Sequence, residues 1–271
     1  MPELPEVETT CRGINPYVVD NEIKKVIVRE RRLRWPIDKK FEKYLTGQSF
    51  SSIERRAKYL LFNSNKGTMI LHLGMSGSLR IITDNTAAEK HDHVDIIFAD
   101  DKCLRFHDPR RFGSIHFTTN DPNQHKLLKS LGPEPLSKDF NTEYLFKLSR
   151  NKNQAVKNFI MDSHIVVGVG NIYASESLFA AGIRPSLRAN RVSLQRYELL
   201  VKEIKQVLMK AIKKGGTTLR DFVNGEGKPG YFRHELKVYG REQEECFHCD
   251  SKIKLAKIGQ RSSYYCPKCQ K

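Results

Sequence analysis

Nothing in this chain suits a membrane: no apolar run reaches about 18 residues, no segment has the charged and apolar regions of an export signal, and no basic amphipathic anchor helix stands out. Those absences exclude a spanning or surface-anchored protein and lead us to expect a cytoplasmic one with no membrane partner. Acids are also scarce. Asp and Glu total 31 against 47 Lys and Arg, a formal charge of +16, and the bases run through the whole chain instead of forming one tail. Such a surplus calls for an anionic partner, and with a membrane disfavoured that partner is nucleic acid. Cysteine is sparse too, at six residues, and four of them fall in Cys246-x2-Cys249-x16-Cys266-x2-Cys269. Without an export signal this spacing argues for thiolates on a metal in a reducing compartment, not for disulfides. Cys11 and Cys103 are left over, and small buried hydrophobes suit them best.

A length of 271 residues is enough for two moderate domains, each with its own core. From residue 23 to 119 the pattern is one of short β-rich runs: 23–28, 59–63, 69–82, 94–99, 104–107 and 114–118. Turn signals at 65–67 and 100–102 separate several of them, as in an antiparallel sandwich or barrel. The Gly132-Pro133-Glu134-Pro135 stretch makes a domain boundary. Beyond it the apolar period lengthens: Leu194, Tyr197, Val201, Ile204, Leu208 and Ala211 predict a helix that Ser193 caps and Gly215-Gly216 stops. The expected class is α+β: an N-terminal antiparallel β-sandwich domain with flanking helices over 1–132, a helical domain over 133–235, and a zinc ribbon over 236–271.

Chemistry concentrates at the two ends. Removal of Met1 before a small second residue would leave Pro2 with a free secondary amine. A lysine of pKa about 10.4 is only about 0.05 per cent free base at neutral pH, whereas a terminal amine near 7.8 is about 10 per cent free. Proline's amine is more basic than that average, so the site must lower its pKa, a task for Lys58 and other cations. Glu3 adjoins the amine and is the natural general acid and base. Glu3, Glu6 and Glu8 could instead merely occupy the positive first turn of a helix. At the other end, four cysteines fill every ligand position, so one Zn2+ bound there is structural, and His248 inside the first pair is a decoy. Residues 252–255 and 261–265 read as the two strands of the ribbon hairpin. In 168–176 a glycine-containing turn leads into a helix with Asn171 near its cap, which is either an ordinary cap or a phosphate site. Lys58, in Arg55-Arg56-Ala57-Lys58, is either an outward residue at a strand start or a functional cation.

Six stretches together resemble the formamidopyrimidine-DNA glycosylase family over essentially the whole chain. They are Pro2-Glu3-Leu4-Pro5-Glu6, Arg55-Arg56-Ala57-Lys58-Tyr59-Leu60, Leu73-Gly74-Met75-Ser76-Gly77, Asp108-Pro109-Arg110-Arg111-Phe112-Gly113, the Gly170-Asn171 turn and the ribbon. The resemblance implies a bacterial, nucleoid-associated, monomeric base excision repair enzyme. It would have a helix-two-turns-helix in the second domain, bind duplex DNA carrying oxidised purines or abasic sites, and cut the strand after removing the base. It makes Pro2 the Schiff-base nucleophile and places Glu3, Lys58 and Arg261 beside it as the catalytic set. Glu6 supports ring opening of the sugar. Met75 fills the space of the extruded base, Phe112 wedges beside the orphan, and Arg110 donates to the orphan cytosine. Phe112 alone could equally be core. Phosphate contacts fall to Lys58, His72, His91, Asn171, Tyr239 and Arg261, although a lone histidine is more often structural. Residues 216–231 are the expected capsule for the flipped base. Two rivals remain at this point: an endonuclease VIII type enzyme for oxidised pyrimidines, and a non-catalytic zinc-ribbon protein that only binds nucleic acid.

Overall fold

The computed structural model describes residues 2–83, 85–217 and 232–271. The chain divides into two compact units, Met1–Lys129 with Lys214–Arg233, and Ser130–Lys213 with His234–Lys271.

The first unit opens with helix α1 (Leu4–Val18). Its Pro5 lies in the first turn, where a missing N–H costs nothing, and Leu4, Val7, Cys11, Ile14 and Val18 form the buried face. Eight strands follow, with the short helix α2 (Phe41–Leu45) after the first: β1 (Ile23–Val28), β2 (Phe50–Arg56), β3 (Tyr59–Ser64), β4 (Gly67–His72), β5 (Ser78–Thr83), β6 (Asp92–Phe98), β7 (Lys102–His107) and β8 (Ser114–Thr118). They pair antiparallel in two four-stranded sheets, ordered β1-β6-β7-β5 and β2-β3-β4-β8. Val26, Ile96 and Leu104 of one sheet and Leu60, Met69 and Ile115 of the other share one core with α1, which is the expected sandwich.

Two strand expectations need correction. The run expected over 69–82 is two strands, broken at 73–77, where Gly74 takes φ +70° and Gly77 passes so close to the Leu73 carbonyl that no side chain fits. Strand β2 was not foreseen, because a register shift between Phe50 and Ser52 spoils the two-residue alternation on which sequence reading depends.

In the β1-β6-β7-β5 sheet, Arg105 is 2% exposed and binds both Asp95 carboxylate oxygens at 2.8 Å, with the Thr86 and Ala87 carbonyls completing its donors. Arg29 joins Asp95 at 2.6 Å, and Arg80 and His107 join Asp92 at 2.7 and 2.8 Å. Burial raises the pKa of both aspartates, but these hydrogen bonds and guanidinium charges outweigh it and hold them below the usual range.

The second unit contains α3 (Thr142–Ser149), α4 (Val156–Met161), α5 (Asn171–Ala180), α6 (Leu194–Lys213) and the hairpin β9 (Lys254–Ile258) with β10 (Arg261–Tyr265). Helix α6 buries the foreseen stripe from Tyr197 to Ala211, the Ser193 hydroxyl accepts from the Arg196 N–H at 3.4 Å, and Gly215 and Gly216 at φ +74° and +81° end it. Leu194, expected in that stripe, is exposed in the first turn. Residues 214–217 group with the sandwich, and the ribbon groups with the helices, sharing a core of Phe179, Val238, Cys246, Ile253 and Cys266. The hairpin strand expected at 252–255 begins two residues later.

Replacing Arg105 with Leu leaves Asp95 and Asp92 as buried anions short of a partner, and should cost about 3–5 kcal/mol in urea unfolding. Because the aspartate pKa values are depressed, the stability they contribute is present above about pH 4 and is lost as pH falls below it.

Candidate active site and nucleic-acid interface

Pro2, Glu3 and Glu6 are buried together at the start of α1. The Glu6 carboxylate accepts the Glu3 N–H at 2.8 Å through one oxygen and the Thr217 N–H at 2.7 Å through the other. Gly216 packs against this carboxylate so tightly that a Cβ there would lie 2.8 Å from Oε1. Glu6 is therefore more than a first-turn acid: it fixes the backbone that follows Pro2 and anchors residues 216–217. The rest of the expected capsule, 218–231, lies outside the described residues.

Lys58 occupies the two-residue turn between β2 and β3, closed by the Arg56/Tyr59 pair with Ala57 at φ +56°. This settles the strand-start question in favour of a turn. Arg55 braces it, donating to the Ala57 carbonyl at 3.0 Å and to Glu8 of α1 at 2.7 Å. His72, at the end of β4, accepts the Gly74 N–H on Nδ1 at 2.9 Å and packs on Tyr59. Burial, with the charges of Lys58 and Arg34, lowers its pKa to about 4. The ring is neutral at physiological pH and keeps Nε2–H as its one donor.

A carboxylate that sequence reading gave no role organises the next group. Asp108 is fully buried. It accepts the Ser76 hydroxyl at 2.9 Å from loop 73–77, and the Gly113 N–H at 2.8 Å and the Arg110 N–H at 3.3 Å from its own turn. Its carbonyl meets His93 Nε2 at 2.7 Å. The two loops carrying Met75, Arg110 and Phe112 are thus tied to one residue. Phe112 is 43% exposed with the Arg110 guanidinium 4.9 Å over its ring, so the core reading of this residue is wrong. Met75 is half-buried. The His91 carbonyl accepts the Asp108 N–H at 3.0 Å, and His91 lines a hollow of about 410 Å3 whose walls mix bases (Arg29, Lys90, Arg111) with acids (Glu30, Glu89, Asp92).

In the second unit Asn171 is the first residue of α5, and its side-chain oxygen is buried without a hydrogen-bond partner among the described residues. Five residues on, Glu176 is buried and accepts the N–H groups of Lys237, Val238 and Tyr239. The Tyr239 ring meets Tyr264 at 5.0 Å on β10, whose exposed first residue is Arg261. Lys157 of α4 is wholly buried, donating to the Ser262 carbonyl at 3.0 Å and the Ser263 hydroxyl at 2.8 Å. Gly259, at φ +54°, lies against the Asn158 side chain. Asp108, Glu176 and Lys157 are the buried charged residues that the sequence gave no role; the first two lie inside the quoted motifs, but only burial reveals what they hold.

The Sγ atoms of Cys246, Cys249, Cys266 and Cys269 lie within 4.8 Å of one another, with close pairs at 3.9 and 3.4 Å. Tetrahedral zinc with sulfur at about 2.3 Å puts sulfurs about 3.8 Å apart, so this set fits zinc. The His248 and Cys269 N–H groups point at the Cys246 and Cys266 sulfurs at 3.4 Å, which favours thiolates. His248 itself packs on Phe179 and is no part of the cluster.

Three family patterns cover this architecture in order: the formamidopyrimidine-DNA glycosylase N-terminal domain over residues 1–115, its H2TH domain over 131–223, and the zinc finger found in FPG and IleRS over 243–271. The chain belongs to the formamidopyrimidine-DNA glycosylase family. Formamidopyrimidine-DNA glycosylases of Nitrosococcus oceani and Pseudomonas aeruginosa strain LESB58 are each 56% identical to it across the full length of both chains. Lactococcus lactis Fpg in complex with abasic-site DNA superposes with a TM-score of 0.93 at 34% identity, again over all of both chains. The same protein bound to DNA containing an oxidised pyrimidine gives 0.92. As a glycosylase of base excision repair, the chain is not the non-catalytic ribbon protein that its charge and cysteines alone would permit. Among the described residues no helix is long and apolar enough to cross a membrane.

An NMR titration of the His72 ring should stay flat from about pH 8 to about pH 5 and turn only near the value of about 4 that its surroundings impose. Since that pKa is depressed, the neutral ring's contribution to stability is complete above about 6.5 and is lost as pH falls from there toward about 4.

Proposed function

We propose that this glycosylase excises oxidised purines, 8-oxoguanine and formamidopyrimidines, from duplex DNA through the nitrogen of Pro2 and then cleaves the strand. The observation carrying this reading is the Glu6 carboxylate, which holds the Glu3 N–H and so fixes the residue before it at the positive end of α1. Burial and that helix terminus work against an ammonium on Pro2, while the Glu3 and Glu6 carboxylates work for it and can take up the proton it must lose before attack.

The Pro2 nitrogen bonds to C1′ as the glycosidic bond breaks, and the base departs with a proton from Glu3. The amine proton passes to O4′ as the C1′–O4′ bond opens, which gives an iminium with no proton left on nitrogen to lose, so the C2′ proton becomes acidic. Glu3 accepts it, the 3′ phosphate leaves, and a second elimination expels the 5′ phosphate to leave a one-nucleotide gap. Lys58, Arg261, His72, His91, Asn171 and Tyr239 contact phosphates, while Met75, Arg110 and Phe112 fill the stack and meet the orphan cytosine. The Asp108 tie between the two loops supports that last assignment. One zinc ion, held by the four thiolates, shapes the ribbon that presents Arg261. A second reading, activity on oxidised pyrimidines as well, draws support from the Lactococcus lactis complex with such a lesion.

Borohydride added during turnover on duplexes carrying 8-oxoguanine or thymine glycol should trap a covalent adduct, in greater yield with the former. Peptide mapping should place it on Pro2; an adduct on a lysine would overturn the nucleophile, and preferential trapping on thymine glycol the substrate. Native mass spectrometry should find one zinc per chain, and chelation should abolish DNA binding while the sandwich keeps its β signal in circular dichroism.

A further inference from the structure

Glu176 has no place in the chemistry above, yet it is 4% exposed and its carboxylate takes three consecutive backbone N–H groups. One oxygen accepts from Val238 at 3.0 Å and Tyr239 at 2.8 Å, the other from Lys237 at 2.8 Å. Successive N–H groups converging on one point form an anion-binding nest, and here the anion belongs to the protein. Burial raises the carboxyl's pKa and the three donors oppose the rise.

Its surroundings give the nest a purpose. Helix α5 carries Asn171 in its first turn, Glu176 midway and Phe179 one turn later, and Phe179 packs with Val238 in the ribbon core. Tyr239, the third donor, lays its ring edge-on to Tyr264 of the strand that begins with Arg261. A single side chain therefore sets the backbone of Tyr239 relative to the helix that presents Asn171.

We infer that Glu176 is a positioning residue for DNA binding: its carboxylate fixes the spacing of Asn171 and Tyr239, so that both meet phosphates of one strand together. This rests on the phosphate-contact role proposed for those two residues. Glu176 touches neither DNA nor the reacting atoms, so its loss should weaken binding and spare the chemical step.

The test uses the full-length, zinc-loaded enzyme and a duplex with a tetrahydrofuran abasic analogue. Glu176→Gln keeps one acceptor and turns an amide N–H toward a backbone N–H. We expect its Kd to rise about tenfold, while single-turnover cleavage of 8-oxoguanine DNA at saturating enzyme stays within about twofold. Tyr239→Phe should weaken binding as well, and the double variant should be no weaker than the worse single one. Wild-type affinity in Glu176→Gln, additive losses in the double variant, or a slowed chemical step at saturation would each overturn the inference. If Tyr239→Phe alone binds normally, the phosphate role of Tyr239 fails instead. Should Glu176→Gln lose zinc, Glu176→Asp decides: retained zinc with about threefold weaker binding supports the positioning role, and unchanged affinity removes it.

Discussion

A carboxylate taken out of water must find hydrogen-bond donors for both oxygens, and in this protein the donors are mostly backbone N–H groups of loops. Glu6 gathers those of Glu3 and Thr217, Asp108 those of Arg110 and Gly113 together with the Ser76 hydroxyl, and Glu176 those of Lys237, Val238 and Tyr239. Each therefore ties a loop to a buried point of the fold. The segments tied in this way carry Pro2 and Glu3, then Met75, Arg110 and Phe112, then Tyr239. Such fixed positions are what the chemistry proposed for Pro2 would require.

The same arrangement accounts for the charge distribution. In a chain of +16, the buried acids are consumed internally, by backbone donors or by arginines such as Arg105, whereas Lys58 and Arg261 stand on a turn and at a strand start. Two cations are buried among the described residues: Arg105 on its aspartates, and Lys157 on the Ser262 carbonyl and Ser263 hydroxyl. A basic protein thus keeps a positive surface for the polyanion while its buried acids serve as internal fasteners.

Reading from sequence succeeded where the signal is local. Strand β1 and strand β8 were found to the residue, α6 was found with its capping serine and terminal glycines, and the four cysteines announced their cluster by spacing alone. It failed where a residue's meaning depends on what crosses over it. Strand β2 hid behind a bulge; Phe112 could be core or wedge until its exposure was known; Lys58 could lie on a strand until the Arg56/Tyr59 pair made it a turn.

The sequence by itself determined the chemistry available: a proline after Met1, acids beside it, thiol spacing that fits zinc, and an excess of positive charge. Residue types and short spacings fix these, because each follows from covalent neighbours or one turn of backbone. Tertiary structure alone decided which acids are fasteners. The partners of Glu6, Asp108 and Glu176 lie up to 211 residues away along the chain, and burial, which makes such bonds obligatory, is a property of the folded molecule.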